Sequence, residues 1–219
     1  MLANFADLIA FLKCFHAPLL AGPSLDAADM PADLPPGLAT LHRELGRLIE
    51  LEYSPDGAWR PPFGTQDRLL PLKRLKWIDG LVEFAVENSG NWAARCPLGM
   101  PDPPVYSDAA DGWSDTRRGF VVVCESLNHF LTTLCLQEAV MGSPNLLCVE
   151  TDRPLDQVVT APLQPLWLNG YLVTGDPDRH FHVTAERDVI VMDLHRPYVG
   201  SRARDVAGLV AQGLKFQAV

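Results

Sequence analysis

Two acidic residues near the middle of the chain, Glu87 and Asp102, have side chains that could serve as a general acid and a general base. Glu87 lies in the segment VEFAVENSGNW, and Asp102 begins the segment DPPVY. Paired carboxylates catalyse such reactions when they face each other across a cleft and when their surroundings shift a pKa. The neighbouring residues give no sign that either acid is buried, so the pattern favours structural roles. A small hydrolase that uses Glu87 and Asp102 is kept as an alternative.

Two further patterns could bind a metal ion or supply a nucleophile. His180 and His182 alternate along a predicted strand, but no acid or cysteine stands at a spacing that completes a zinc site. Cys96 and Cys124 lie in apolar segments, where burial raises the pKa of a thiol and makes it unreactive. The five cysteines are scattered and form no CxxC pair, which indicates a reducing compartment. We therefore predict no metal, no cofactor and no catalytic residue.

The composition restricts the possible partners. The 219 residues include 18 Lys and Arg against 27 Asp and Glu, which gives a net charge of −9. Nucleic-acid binding needs clustered basic residues, so a nucleic acid is not an expected ligand, whereas a basic protein partner is compatible with this charge. The N-terminal apolar segment lacks the basic start of a signal peptide, and no segment has the length of a membrane span. We expect a cytoplasmic protein without a membrane partner.

Helical spacing of apolar residues predicts four helices. The first covers residues 2–16, and the second opens at Leu34-Pro35-Pro36 and ends at Gly46. Ser126 is the predicted N-cap of the third helix, which ends at Gly142. The fourth is a closing helix at residues 202–214.

Alternating or apolar segments predict the strands, of which Leu81 to Glu87 is the clearest. Its alternation places Glu83 and Glu87 on one face, and the turn that follows uses Gly90 at positive φ, with Asn88 hydrogen-bonding within its own turn. Residues 143–165 are left unassigned. The other predicted strands are residues 92–96, 105–106, 119–124, 170–174, 180–184 and 189–194. Strands joined by turns, with helices around them, predict an α+β fold on a mainly antiparallel twisted sheet.

The order of these features resembles the SUKH superfamily, which includes a yeast cell-wall assembly regulator and many bacterial immunity proteins. The resemblance rests on the Leu34-Pro35-Pro36 helix, the strand at 81–85, the Trp113 position and the helix after Ser126, and above all on two motifs. These motifs are Glu87-Asn88-x-Gly90-x-Trp92 and Asp102-Pro103-Pro104-Val105. The match covers residues 30–142 of a single predicted domain at 1–219, with the helix at 2–16 and the region 166–214 as extensions.

The resemblance implies an α+β domain without shared catalytic residues, whose bacterial members bind and neutralise a cognate toxin, often a nuclease or a deaminase. The acidic charge fits a basic toxin, because opposite charge speeds association. The alternative from another class is an intracellular regulatory scaffold that binds an endogenous partner. Acidic and aromatic residues that would anchor the partner are Asp102, Tyr106, Asp108, Asp111, Trp113 and Asp115.

Overall fold

The structure is a computed structural model that describes residues 1–20, 30–53, 60–109, 119–173, 175–202 and 205–217. It confirms the α+β fold, with helices beside antiparallel sheets. Within the described residues, no helix has both the length and the apolar character that crossing a membrane requires. The helices are α1 (Phe5–Phe15), α2 (Pro36–Ile49), α3 (Leu127–Met141) and the short α4 (Leu155–Val158).

The first sheet holds six strands from the first part of the chain. They pair in the order β1-β3-β4-β5-β6, and β2 pairs with part of β3 beyond β1. All the pairs are antiparallel. The strands are β1 (Asp67–Leu69), β2 (Lys76–Ile78), β3 (Leu81–Glu87), β4 (Ala93–Pro97), β5 (Val105–Ser107) and β6 (Val121–Cys124).

The second sheet also has six antiparallel strands, in the order β12-β7-β11-β10-β9-β8. The sequence predicted one sheet, whereas the chain forms two. The strands are β7 (Asn145–Glu150), β8 (Leu163–Gly170), β9 (Arg179–Thr184), β10 (Val189–Asp193), β11 (Pro197–Ser201) and β12 (Lys215–Gln217).

Helix α3 connects the two sheets and is buried along most of its length. Its Phe130 ring packs edge-on against Phe84 of β3, with the ring centroids 5.7 Å apart. The same apolar core includes Phe181 of β9, so it receives side chains from both sheets. The predicted ends of α3 are confirmed, because the Ser126 hydroxyl accepts a hydrogen bond from the His129 N–H at 3.1 Å and the helix stops before Gly142.

A glycine lets the C-terminal end of α3 approach the second sheet. A Cβ atom on Gly200 of β11 would lie 2.7 Å from the Val140 carbonyl oxygen of α3. Real Cβ atoms do not make contacts this short, so a larger residue would push the helix away from the strand.

Three predicted element boundaries are wrong. Helix α2 continues through the buried Gly46 and ends at Ile49, because the apolar stripe extends to that turn. The strand predicted at 170–174 is the end of β8, which stops at Gly170. Of the closing helix predicted at 202–214, the described residues form a 3-10 turn at Ala207–Leu209, an isolated β-bridge from Val210 to Val159, and a turn at Gly213, whose φ of +85° breaks a helix.

The alternation predicted for β3 is also wrong, because a β-bulge interrupts it. The register with β4 shifts between Glu83 and Ala85, so Phe84 is the extra residue. Glu83 therefore lies on the outer face, opposite Arg95, while Ala85 is fully buried on the inner face. Since the alternation restarts after the bulge, Glu87 lies on the face opposite Glu83.

Candidate functional site

A cavity of about 630 Å³ is lined by residues from both sheets and from the C-terminal half of α3. Gln66, Asn91 and His195 are exposed residues of its lining, so the cavity opens to solvent. Its volume lies in the range of pockets that bind small ligands. We therefore take this cavity as the candidate site.

Two carboxylates lie side by side on the cavity wall. Asp67 of β1 and Glu87 of β3 are directly opposite each other in the antiparallel register, and both line the cavity. The Cβ atoms of such a pair are about 5 Å apart, and like charges in these positions repel each other. The Asp67 residue is only 5% exposed. Burial, with a smaller contribution from Glu87, raises its pKa from 3.8 to about 6 against the opposing effects of Gln137 and Arg179.

A third acid, Glu138 of α3, is fully buried behind this wall. One carboxylate oxygen accepts hydrogen bonds from the backbone N–H groups of Thr65 (2.8 Å) and Gln66 (3.0 Å), and the other accepts one from that of Asp67 (2.9 Å). Burial and the nearby Asp67 raise the pKa of Glu138 to about 8. Both acids therefore keep their protons to a higher pH than free carboxyl groups do.

An arginine from the second sheet completes the polar part of the site. The Arg179 Nε donates to the Gln137 side-chain oxygen at 2.9 Å, and the Gln137 amide donates to Asp67 Oδ2 at 2.5 Å. The Arg179 Nη1 is paired with Asp178 Oδ1, also at 2.5 Å. The guanidinium is therefore already balanced by a carboxylate outside the Asp67–Glu87 pair.

The rest of the cavity wall is largely apolar and includes two aromatic residues. Trp92, at the start of the strand that returns from the Glu87 turn, and Tyr198 of β11 are both half-buried. Apolar side chains from α3, β10 and neighbouring loops complete this part: Met141, Val173, Met192 and Leu194. Acidic groups beside aromatic and apolar surface suit a ligand with positive charge on an apolar stem.

The first family motif serves the turn at the cavity rim. Glu87 Oε2 accepts hydrogen bonds from the backbone N–H groups of Ser89 (2.8 Å) and Asn91 (3.2 Å), and Gly90 has a φ of +76° as predicted. The prediction for Asn88 is wrong, because its side-chain amide donates to the backbone carbonyls of Gly64 and Thr65 on the neighbouring loop. Asn88 therefore fixes the loop that leads into β1.

The second motif caps α3. Asp102 accepts hydrogen bonds from the Ser126 hydroxyl at 2.6 Å and from the Asn128 backbone N–H at 2.8 Å. The buried Pro103 accepts the Leu127 N–H at 2.9 Å through its carbonyl, and Pro104 leads directly into β5. This motif is therefore part of the framework that begins the central helix.

The cavity that Glu87 lines does not include Asp102, the other acid of the hydrolase alternative. Asp102 binds the backbone of Asn128 in the first turn of α3, whereas Glu87 lies opposite Asp67, which binds Gln137 in the second half of the helix. These two contacts are separated along the helix axis by about 13 Å. The neighbour that Glu87 does have is Asp67.

The predicted partner-contact residues fall into three groups. Asp102 is exposed but is engaged in the cap, and Asp108 is half-buried and accepts the Ala93 N–H at 2.8 Å. Tyr106 is half-buried on the outer face of β5, opposite Arg95. Outside the described residues lie Asp111, Trp113 and Asp115.

The histidine pattern lies on an inner strand of the second sheet, and the two cysteines lie on strands of the first. His180 and His182 both lie on β9, and among the described residues no group of three or more His, Cys, Asp or Glu could hold a metal ion. Cys96 is fully buried, and burial raises the pKa of its thiol to about 12. The buried Cys124 Sγ lies 3.2 Å from the Ser126 carbonyl oxygen.

Sequence reasoning missed Asp67, Gln137, Glu138 and Arg179. Only Glu138 had a signal, since it lies four residues after Leu134 and so continues the buried stripe of α3. A charged residue on such a stripe must be satisfied by buried partners. Asp67 and Arg179 come from short strands in distant parts of the chain, and no local pattern marks them.

Comparison with known proteins gives no relative for this chain, since no protein-family model, curated protein or solved structure matches it.

Proposed function

We propose that this chain is a non-enzymatic cytoplasmic protein that neutralises a basic toxin protein by tight binding, as the resemblance to SUKH immunity proteins implies. The observation that carries the proposal is the position of Glu87 and Trp92. Both belong to the motif behind the resemblance, and both line an open cavity beside Asp67. An aromatic residue and charged groups around a pocket are typical of the few contacts that dominate protein–protein affinity.

The charge of the chain supports a basic partner. The net charge of −9 gives a long-range attraction for a positive protein, and the carboxylates at the cavity add a local one. Such attraction speeds association and weakens as salt screens it. We expect the association rate to fall markedly with rising ionic strength, and a rate independent of salt would remove the electrostatic part of the proposal.

The structural roles of Glu87 and Asp102, the acids of the two motifs, favour binding over hydrolysis by this pair. Asp102 holds the first turn of α3, and Glu87 holds the hairpin turn through Oε2. Both acids therefore have backbone partners, and they lie at different ends of the helix. The cavity lining includes Glu87 but not Asp102, which supports binding over the hydrolase alternative.

A growth assay tests the proposal. A gene for a secreted toxin is expected beside the gene for this chain, and its product should arrest growth when it is expressed alone. Co-expression of the present chain should restore growth. If no neighbouring product is toxic, or if toxicity persists with the chain present, the immunity function is wrong.

A matched pair of variants links the assay to the cavity. Gln66→Lys places a long cation at the rim of the cavity, at an exposed residue whose side chain makes no hydrogen bond with described residues. Gln157→Lys makes the same change on the exposed side of α4, away from the cavity lining. We expect Gln66→Lys to weaken protection and Gln157→Lys to retain it. Equal protection by both variants would show that the toxin does not bind at the cavity.

A further inference from the structure

The facing carboxylates of Asp67 and Glu87 repel each other, which lowers the stability of the folded protein. The pairing of β1 with β3 does not require this repulsion. Asp67 and Glu87 are cross-strand neighbours in direct opposition, where an uncharged pair or an oppositely charged pair is more stable. Both line the cavity, so their repulsion is relieved by any positive group that enters it. The register of β1 and β3 therefore indicates a positively charged ligand, independently of the hydrogen bonds in the site.

Each of the two carboxylates has one oxygen in use and one available. Asp67 Oδ2 accepts from Gln137, and Glu87 Oε2 accepts from Ser89 and from the backbone and side chain of Asn91. Asp67 Oδ1 and Glu87 Oε1 accept no hydrogen bond from the described residues. A donor with several N–H groups would find two acceptors on one wall.

The cation already present offsets the charge of this pair only in part. Arg179 favours the charged form of Asp67, but it donates to Gln137 and is paired with Asp178, so one positive charge stands against the three carboxylates of Asp67, Glu87 and Asp178. The described residues contain no group of three or more metal-binding side chains that could hold a metal ion. The excess negative charge of the wall therefore favours an organic cation as the ligand.

The apolar wall matches the other end of such a ligand. Trp92 offers an aromatic ring, which attracts ammonium and guanidinium groups through its π face. Met141 and Met192 offer flexible apolar surface for an alkyl stem. The volume of about 630 Å³ leaves room for one long side chain or a molecule of that size.

We propose that the cavity binds an organic cation, an ammonium or guanidinium group on an alkyl stem, at the wall formed by Asp67, Glu87 and Trp92. Its source is a lysine or arginine side chain of the neutralised protein, and this assignment of the source rests on the proposed function. The cation chemistry of the cavity does not depend on that assignment. A free organic amine is the other source of the same chemistry.

A titration of the purified chain tests the chemistry with two probes of the same shape. Butylguanidinium carries the charge, and butylurea is its neutral counterpart. We expect saturable binding of butylguanidinium, followed by NMR shifts of the Trp92 indole, and affinity for butylurea weaker by about tenfold or more, because charge-assisted hydrogen bonds are about twice as strong as neutral ones. Equal binding of the two probes, or no saturable binding of butylguanidinium, would overturn the proposal without any variant.

Variants then locate the site. Asp67→Asn and Glu87→Gln each remove one charge from the wall, and each should weaken butylguanidinium binding by about tenfold. Asp152→Asn removes a charge from an exposed residue outside the cavity and should leave binding unchanged. If either Asp67→Asn or Glu87→Gln does not fold, the other of these two variants tests the location of the site. The site is wrongly assigned if a folded Asp67→Asn or Glu87→Gln variant binds butylguanidinium as well as the wild type. It is also wrongly assigned if Asp152→Asn weakens binding by the same factor.

Competition distinguishes the two sources. If butylguanidinium displaces the purified toxin, the cation belongs to the partner protein. If it binds without displacing the toxin, the assignment to the partner is wrong and the cavity serves a free organic cation. If the growth assay fails while the titration succeeds, the immunity function is wrong and the cation site stands.

Discussion

The backbone N–H of Asp67 donates a hydrogen bond to the carboxylate of Glu138, while the side chain of Asp67 lies in the same buried region as that carboxylate. The fold thus brings together two acids that both lose hydration and repel each other. Their pKa values rise from 3.8 to about 6 and from 4.5 to about 8, so the folded protein keeps protons that the unfolded chain releases.

This relationship predicts that the contribution of the two acids to stability falls as the pH rises. Between about pH 4 and about pH 8 these two acids bind fewer protons in the unfolded chain than in the folded protein, so their contribution to the free energy of unfolding decreases with pH. The contribution of Asp67 is on the order of 3 kcal/mol. As measured by urea unfolding at several pH values, Asp67→Asn should remove about half of the decrease below about pH 6, because Glu138 of the unfolded chain also releases its proton in this range. Asp152→Asn is the control, and parallel pH curves for wild type and Asp67→Asn would contradict the prediction.

Buried histidines predict a loss of stability on the acid side. His42 of α2 is 2% exposed, and burial lowers its pKa from 6.5 to about 4. Burial also lowers the pKa of His16, whose two ring nitrogens have no hydrogen-bond partner among the described residues. The unfolded chain takes up these protons first, so the contribution of the two histidines to the free energy of unfolding falls as the pH drops below about 6.5, opposite in sign to that of the two acids.

His42→Leu tests this effect, because leucine has a similar size and does not titrate. Between pH 7 and pH 4 the free energy of unfolding of the variant should fall by about 3 kcal/mol less than that of the wild type. His195→Gln, which replaces an exposed histidine, is the control and should keep the acid slope. The prediction is wrong if His42→Leu and the wild type lose stability in parallel.

The cap at the start of α3 predicts a stability role for Asp102. Asp102→Ala removes the acceptors of the Ser126 hydroxyl and of the Asn128 N–H, and it should cost about 1 to 2 kcal/mol of unfolding free energy. Asp152→Ala, at an exposed residue without these contacts, should cost little. Thermal or urea unfolding checks the difference, and an Asp102→Ala variant as stable as Asp152→Ala would show that the cap contributes nothing.

The close approach at Gly200 predicts a large effect from one methyl group. In Gly200→Ala the added Cβ would meet the Val140 carbonyl at 2.7 Å, so helix and strand must separate. We expect a loss of about 1 to 3 kcal/mol. Gly208→Ala is the matched control, because the same Cβ there meets nothing within 4 Å and the backbone φ is ordinary. Similar unfolding midpoints for the two variants would contradict this contact.

The sequence was most informative where the determinants are local. Ser126 and Gly142 bound α3 as expected, because capping needs only residues within one turn of the helix end. The Glu87 to Trp92 turn was recognised for the same reason. Strand β7, by contrast, lies in a proline-flanked segment left unassigned, and its pairing partners β11 and β12 are far along the chain.

The candidate site was predicted only in part. Glu87 and Trp92 were singled out, but Asp102, in the hydrolase alternative, was the acid considered as a partner of Glu87, and Asp67 was not considered. The bulge at Phe84 explains the error, because it turns Glu87 to the face where Asp67 and α3 lie. A single extra residue in a strand leaves no mark in the hydrophobic pattern, since Phe84 is apolar at either position.

Strand β7 has a consequence for the order in which the chain folds during synthesis. Cys148 of β7 pairs with Tyr198 on one side and with Gln217 on the other. Both edges of this strand therefore stay unpaired until residues much later in the chain have been synthesised. The hairpins of the first sheet close within a few residues, and such local contacts form early. A chain still held by the ribosome would therefore carry a finished first sheet beside an open, apolar strand, and chaperone binding should concentrate at β7.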